Sequence, residues 1–274
     1  MNTALKYALL LLAAYLGVLL LLRIFEKRII FLPNLFDRLD GNWQPARLPV
    51  EQVWLTTADG VKLHAWWIPA PSAEFTFIAF HGNAGNITHR AEVYEFLRTL
   101  PADVLAVEYR GYGRSEGSPD EQGVYLDAQA AYDYLAGERR IPGRRIISFG
   151  QSLGTAVAAE LAVRRDVGGI VLEAPFASSR AIARRIYWFL PGLGYLVGTK
   201  FETAAKLARS DVPKLLVHCA NDPVLPFALG EEVFAAAKQP KTLYRVDAAC
   251  HEEASLVAPG EYRAQLRAFL ATVR

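Results

Sequence analysis

Five residues, Gly150-Gln151-Ser152-Leu153-Gly154, stand between an apolar run at 146–149 and an alanine-rich stretch of helical spacing at 153–165. A strand that turns directly into a helix over so few residues strains the backbone at its apex, so only small residues fit two positions to either side. Ser152 is then exposed above a sheet edge, at the start of a helix whose first amides favour negative charge. The plain alternative is a serine that merely caps the helix with its hydroxyl.

The rest of the chain fits this strand-to-helix order. Residues 53–56 and 62–68 read as a strand pair around the turn at Asp59-Gly60. Apolar runs follow at 75–80, 104–109, 169–172, 215–219 and 242–246, and helical spacing at 91–100, 124–136, 228–238 and 261–272. The pattern predicts an α/β fold, a mostly parallel central sheet with helices on both faces. With 274 residues, 52% of them hydrophobic, a single domain of this class buries a large core. A net charge of +2 lacks the concentrated basic face that nucleic acid requires, and nucleic acid is excluded as a partner.

A serine hydroxyl needs a base that titrates near neutrality, which leaves the five histidines. His251 follows the last strand run by a short loop, at the same sheet edge as Ser152. His64 and His218 fall within strand patterns and read as core residues, His89 as a helix-surface residue, and His81 as a brace for its own loop. Asp222, just beyond the run ending at Cys219, is the acid that orients the base, in the chain order serine, aspartate, histidine. Glu173 is the reserve acid, or else a hydrogen-bonded loop anchor. The turn His81-Gly82-Asn83-Ala84-Gly85-Asn86 offers the Asn83 N–H, which with the Leu153 N–H forms an oxyanion hole; each donor contributes about 3 kcal/mol. A phosphate-binding loop is excluded there, because no Gly-Lys-Ser/Thr follows.

Residues 4–22 carry only one charge, Lys6. At 1.5 Å per residue they reach about 28 Å, close to the hydrocarbon thickness of a bilayer. The run ends in Arg23, Ile24, Phe25 and Glu26, not in a small-residue cleavage site, which favours a retained single-pass anchor over a cleaved signal peptide. Arg23, Lys27, Arg28 and Arg38 outnumber Lys6 and the amino terminus across the span, a bias that favours a cytoplasmic catalytic domain. The expected organisation is an anchor at 1–30, a linker at 31–50 containing Pro33, Gly41, Pro45 and Pro49, and a catalytic domain at 51–274.

The elbow, the His81-Gly82-Asn83 turn, the run Glu108-Tyr109-Arg110-Gly111-Tyr112-Gly113-Arg114-Ser115-Glu116-Gly117 and the placement of Asp222 and His251 make the chain resemble an α/β-hydrolase over residues 50–274. With its anchor it is similar to a membrane-anchored branch that includes protein depalmitoylases and serine aminopeptidase-like hydrolases. The resemblance implies the α/β-hydrolase fold preceded by one transmembrane helix. It departs from the family pattern at Ala249-Cys250, where glycine usually precedes the catalytic histidine. In this fold the strands that lead to Cys219 and Cys250 are neighbours. A disulfide needs an oxidising compartment and Cα atoms within about 7 Å, and two free thiols are the default reading.

Residues 176–213 read as a lid. Ile182, Ile186, Phe189 and Leu190 share one helical face opposite Arg180, Arg184 and Tyr187, and with Phe176 the apolar residues Ile182, Ile186 and Phe189 are the candidate substrate contacts. Six basic against two acidic residues give the lid a net +4, which suits it to an anionic membrane surface, unless its arginines are simply solvated. The expected protein is a membrane-anchored serine hydrolase that cleaves carboxylic esters or thioesters through an acyl-enzyme, with no metal or organic cofactor. Its expected partners are an ester or thioester substrate, carried by a lipid or an acylated protein, and a membrane. An amidase or aminopeptidase, and a non-catalytic membrane scaffold, are the alternatives.

Overall fold

In the computed structural model, residues 2–33 and 35–273 are described. Met1 and Arg274, the outer limits of the expected anchor and catalytic segments, and the linker residue Asn34 lie outside the described residues. Eight strands form a single sheet: β1 (Glu51–Thr56), β2 (Lys62–Ile68), β3 (Phe75–Phe80), β4 (Ala102–Val107), β5 (Ile146–Gln151), β6 (Gly169–Glu173), β7 (Lys214–Cys219) and β8 (Lys241–Val246). Their order is β1-β2-β4-β3-β5-β6-β7-β8. β2 runs antiparallel to both β1 and β4, and every other pair is parallel. The helices are α1 (Thr3–Ile24), α2 (Glu26–Ile30), α3 (Ala91–Leu97), α4 (Glu121–Asp133), α5 (Leu153–Arg164), α6 (Ser179–Ile186), α7 (Leu193–Leu196), α8 (Thr203–Leu207), α9 (Phe227–Ala236), α10 (Ala254–Val257) and α11 (Pro259–Thr272).

Alternation along the strands divides the core between two faces. Ile78 and Phe80 join the cluster under α4, α5, α8 and α9, while Phe77 and Ala79 join the cluster under α3 and α11. Covering both faces explains why the strands read as unbroken apolar runs. Helix α4 starts earlier than its apolar spacing suggests because Asp120 caps it, its carboxylate accepting the Gly123 N–H at 2.8 Å. Strand order reverses around β3, which lies between β4 and β5. The carboxyl ends of β3 and β5, the position where ligands bind in open α/β sheets, therefore carry the Asn83 turn and Ser152 side by side.

Helix α1 exposes apolar side chains on all sides, and Leu19 is its one buried residue among the described residues. The described residues of segment 31–50 form no strand, yet they are wrapped onto the domain. Phe31 is buried edge-on to Phe201, and Arg38 donates to the carbonyls of Gly113 and Ser115. Trp43 packs on His64 and Trp66.

Candidate active site

Ser152 follows β5 with φ +49° and ψ −114°, a conformation that a side-chain-bearing residue adopts only under strain. The surrounding backbone holds it there: Ser152 N–H donates to Glu173 O at 2.9 Å, and Ser152 O accepts from Thr155 Oγ1 at 2.6 Å. A Cβ at Gly150 would strike the Gly154 carbonyl, and one at Gly154 the Phe80 carbonyl, so both glycines are required by close approach. The Ser152 hydroxyl makes no capping hydrogen bond, which removes the plain helix-cap reading.

Asp222 and His251 meet across the ends of β7 and β8, Asp222 Oδ2 accepting from His251 Nδ1 at 2.7 Å. Oδ1 of Asp222 accepts the N–H groups of Val224 and Leu225, each at 2.8 Å, and His218 Nε2 lies 3.4 Å from Oδ2. Burial alone would raise the Asp222 carboxyl, but the hydrogen bonds from His218 and His251 outweigh it and hold the group well below the usual carboxylate range. Burial likewise lowers the His251 imidazole, but the Asp222 hydrogen bond and charge, aided by Glu252 and Glu253, set it above the ordinary histidine value. The strand position of His218 marks it as a core residue, and the sequence carries no sign of its contact with Asp222. Among the described residues Ser152 makes no hydrogen bond to His251, a separation common before substrate closes a site.

As the candidate base, His251 must be neutral to accept a proton, so any ester hydrolysis at this site is expected to rise in kcat/KM with pH through an ionisation above the ordinary histidine value. Glu252→Gln should move that limb to lower pH, because it removes a charge that stabilises the imidazolium. Paired pH–kcat/KM profiles check this, and an unmoved limb would refute the electrostatic account.

A buried network ties the elbow to the histidine loop. Gln151 Nε2 donates to Glu173 Oε2 at 2.9 Å and to Glu252 O at 3.1 Å, and Glu173 Oε1 accepts the Ala254 N–H at 3.0 Å. Burial pushes the Glu173 carboxyl up to about 8 in spite of these two donors, and its bonds to Gln151 and Ala254 make it a loop anchor. Cys219 and Cys250 are joined in a disulfide, with Cα atoms 5.5 Å apart, contrary to the default of two free thiols. The parallel β7–β8 register places Cys219 opposite Val246, and the returning loop brings Cys250 back to it. The bridge holds the chain just before His251, where the resembled family carries glycine.

The Asn83 turn is braced from three sides. Its carbonyl accepts from Leu32 N–H at 3.0 Å and from the Tyr112 hydroxyl at 2.8 Å, and its side-chain Nδ2 donates to Ile30 O at 3.1 Å. Tyr109 Oη donates to His81 O at 2.9 Å, while His81 lies 3.2 Å from the buried Glu108. The Glu108 to Gly117 run thus supports the turn from beneath. Asn83 N–H has no acceptor among the described residues, and Leu153 N–H stands at the first helical position, where an intrahelical partner is lacking. Glu252 lies over Gly82 and pairs with Arg90 at 2.8 Å, closing the histidine loop onto this turn.

Phe176, Ile182 and Ile186 pack into the cluster that contains Leu153, Phe31 and Phe201. Phe189 does not join them, because α6 ends at Ile186 and the seven- and eight-residue spacings fall off the helix. Tyr187 already leaves helical geometry, and Pro191 disfavours helix at Leu190. Phe189 instead lies exposed beside Tyr187 and Trp188.

Known proteins share both the sequence pattern and the fold. The family described as serine aminopeptidase, S33, matches residues 71–203. The α/β-hydrolase domain-containing protein WAV2 of Arabidopsis thaliana is 36% identical over 231 residues, 77% of this chain and 74% of that protein. Lysophosphatidylserine lipase ABHD12 of Macaca fascicularis is 33% identical over 209 residues, 69% of this chain and 52% of that protein. The Pyrococcus furiosus esterase Pf2001 shares the fold with a TM-score of 0.70 over 89% of this chain and 97% of its own, at 23% identity.

Proposed function

The chain belongs to the α/β-hydrolase superfamily, and from that premise we propose that it is a membrane-anchored serine hydrolase cleaving carboxylic esters or thioesters through an acyl-enzyme. Ser152 attacks the carbonyl carbon, and His251 takes the hydroxyl proton and returns it to the leaving group. Asp222 fixes the His251 tautomer, and the amides of Asn83 and Leu153 hold the developing oxyanion. Water then releases the acyl group by the same steps. The observation that carries the reading is the 2.7 Å Asp222–His251 pair, held by Gln151 and Glu252 beside a strained serine whose hydroxyl caps nothing. The similarity to lysophosphatidylserine lipase ABHD12 supports an ester-linked lipid as substrate.

A fluorophosphonate probe applied to membranes containing the full chain should label the wild type and not Ser152→Ala. An unlabelled, folded wild type would overturn the reading in favour of a non-catalytic scaffold. The matching family's description as a serine aminopeptidase supports an amidase as the second reading. A panel of ester, thioester and anilide substrates separates the two.

The length and apolar composition of α1 support a single membrane span. The Cys219–Cys250 bridge supports a hydrolase domain on the oxidising side of that membrane, opposite to the side favoured by the flanking charges. Protein denatured from membranes prepared under a thiol block should take up no maleimide-polyethylene glycol before reduction. After reduction it should take up two, one on each cysteine. Full modification before reduction would return the domain to the cytoplasmic side.

A further inference from the structure

Helix α1 and the lid are built as one body. The Tyr15 hydroxyl donates to the Pro191 carbonyl, Leu19 lies against Gly192, and the Arg23 guanidinium lies against Gly198. These three contacts are four residues apart on α1 and share one face of the helix. One turn further on, the buried Glu26 carboxylate accepts the N–H groups of Gly198 at 2.9 Å and Thr199 at 2.5 Å. Residues 191–198 therefore run parallel to α1. Tyr15 precedes Arg23 by eight residues, so the Pro191 end lies about 12 Å farther along the anchor than Arg23 does.

The part of the lid carried to that height is aromatic and uncovered. Trp188 is 76% exposed, Tyr195 73% and Phe189 58%, with Leu196 also exposed. The basic residues occupy the approach to it. Helix α6 begins where Ser179 N–H donates to Lys200 O at 2.9 Å, level with the Glu26 clamp, and it bears Arg180, Arg184 and Arg185 on the way up. Arg180 and Arg184 lie over the Tyr195 ring at 4.7 and 5.8 Å. Arg180 and Arg184 thus meet Tyr195 partway up, and Trp188 and Phe189 lie beyond them, the order of a bilayer surface with phosphate outside and hydrocarbon within.

We propose that the hairpin at 179–197 is seated in the membrane beside the anchor, Trp188 and Phe189 among the acyl chains, Tyr195 and Leu196 at the boundary, and Arg180, Arg184 and Arg185 against anionic head groups. This rests on the anchor reading of α1 and deepens the proposed function. The cluster of Phe176, Ile182 and Ile186 is continuous with the root of this hairpin. A membrane-resident acyl ester thus reaches the candidate site from the bilayer side, its acyl chain remaining in an apolar environment.

The test uses the full chain in nanodiscs of phosphatidylcholine and phosphatidylglycerol, with brominated or plain acyl chains. Trp188 is one of five tryptophans, so its signal is the difference between wild type and Trp188→Phe. The expected result is quenching by the brominated chains that is lost in Trp188→Phe. Quenching of the Trp188 signal by aqueous iodide in place of bromine would put the tip in water and overturn the proposal. Protection from both quenchers would put a second copy or another protein on the tip and would overturn the proposal equally. Carbonate extraction of the same preparations tests the anchor separately. A chain that resists extraction while Trp188 escapes bromine loses the hairpin proposal alone, and a chain that is released loses both.

Discussion

Ser152→Ala is expected to lower kcat for an ester or thioester about 10⁵- to 10⁶-fold with KM little changed, the size of loss seen when a serine nucleophile is deleted from an intact triad. The residual rate is expected to measure what the candidate oxyanion amides of Asn83 and Leu153 and the binding surface contribute without a covalent step. The change is a clean probe because the Ser152 hydroxyl makes no capping bond, and the strained φ of +49° is held by the backbone bonds to Glu173 and Thr155. Alanine keeps the Cβ and those bonds, so the melting temperature should stay within a degree or so of the wild type, surface-like in its effect on stability. Turnover under saturating substrate, read beside a thermal melt, is the measurement. A folded variant that retained wild-type turnover would remove Ser152 from the chemistry.

Asp222→Asn is expected to cost about 10⁴-fold in kcat at neutral pH. The amide must choose which way to face, and the surroundings choose for it. The N–H groups of Val224 and Leu225 both point at Oδ1, so the asparagine oxygen is retained there and its NH₂ is turned toward His251 and His218. An NH₂ facing Nδ1 requires that nitrogen to accept, which moves the imidazole proton to Nε2, where the base should be free. The pKa effect has the same sign, since the Asp222 charge is among the main influences raising the His251 imidazole. Fluorophosphonate labelling should be slowed by orders of magnitude and not abolished, whereas Ser152→Ala abolishes it. Unslowed labelling of Asp222→Asn would transfer the orienting role to another acid.

The features legible in the sequence were those written in local order. Eight strands and the main helices followed from apolar runs and spacing, and the Ser152 elbow from two glycines that a Cβ would drive into neighbouring carbonyls. Asp222 and His251 followed because strand ends at one sheet edge converge. What was not legible depended on three-dimensional partners. A histidine inside a strand, like His218, looks the same whether it faces packed carbon or a carboxylate. The Cys219–Cys250 bond depends on a loop returning to a strand end, which no spacing along the chain encodes. The end of α6 at Ile186 was hidden by apolar residues that continue the helical period through Trp188-Phe189-Leu190 although the backbone has left the helix. Glu26 clamping the lid, and Ile30 and Leu32 bracing Asn83, each meet a partner through a backbone group on one side of the bond, to which side-chain patterns are blind.

That last bracing bears on how the protein can be handled. The usual way to obtain a soluble version of an anchored enzyme is to cut in the linker and discard everything before it. Here Ile30 O accepts from the Asn83 side chain and Leu32 N–H donates to the Asn83 carbonyl, so a cut just after Pro33 discards bracing of the candidate oxyanion turn along with the apolar helix. The boundary that separates solubility from chemistry lies earlier, ahead of the α2 turn, and a fragment starting there keeps Glu26, Ile30 and Leu32 while losing the apolar span.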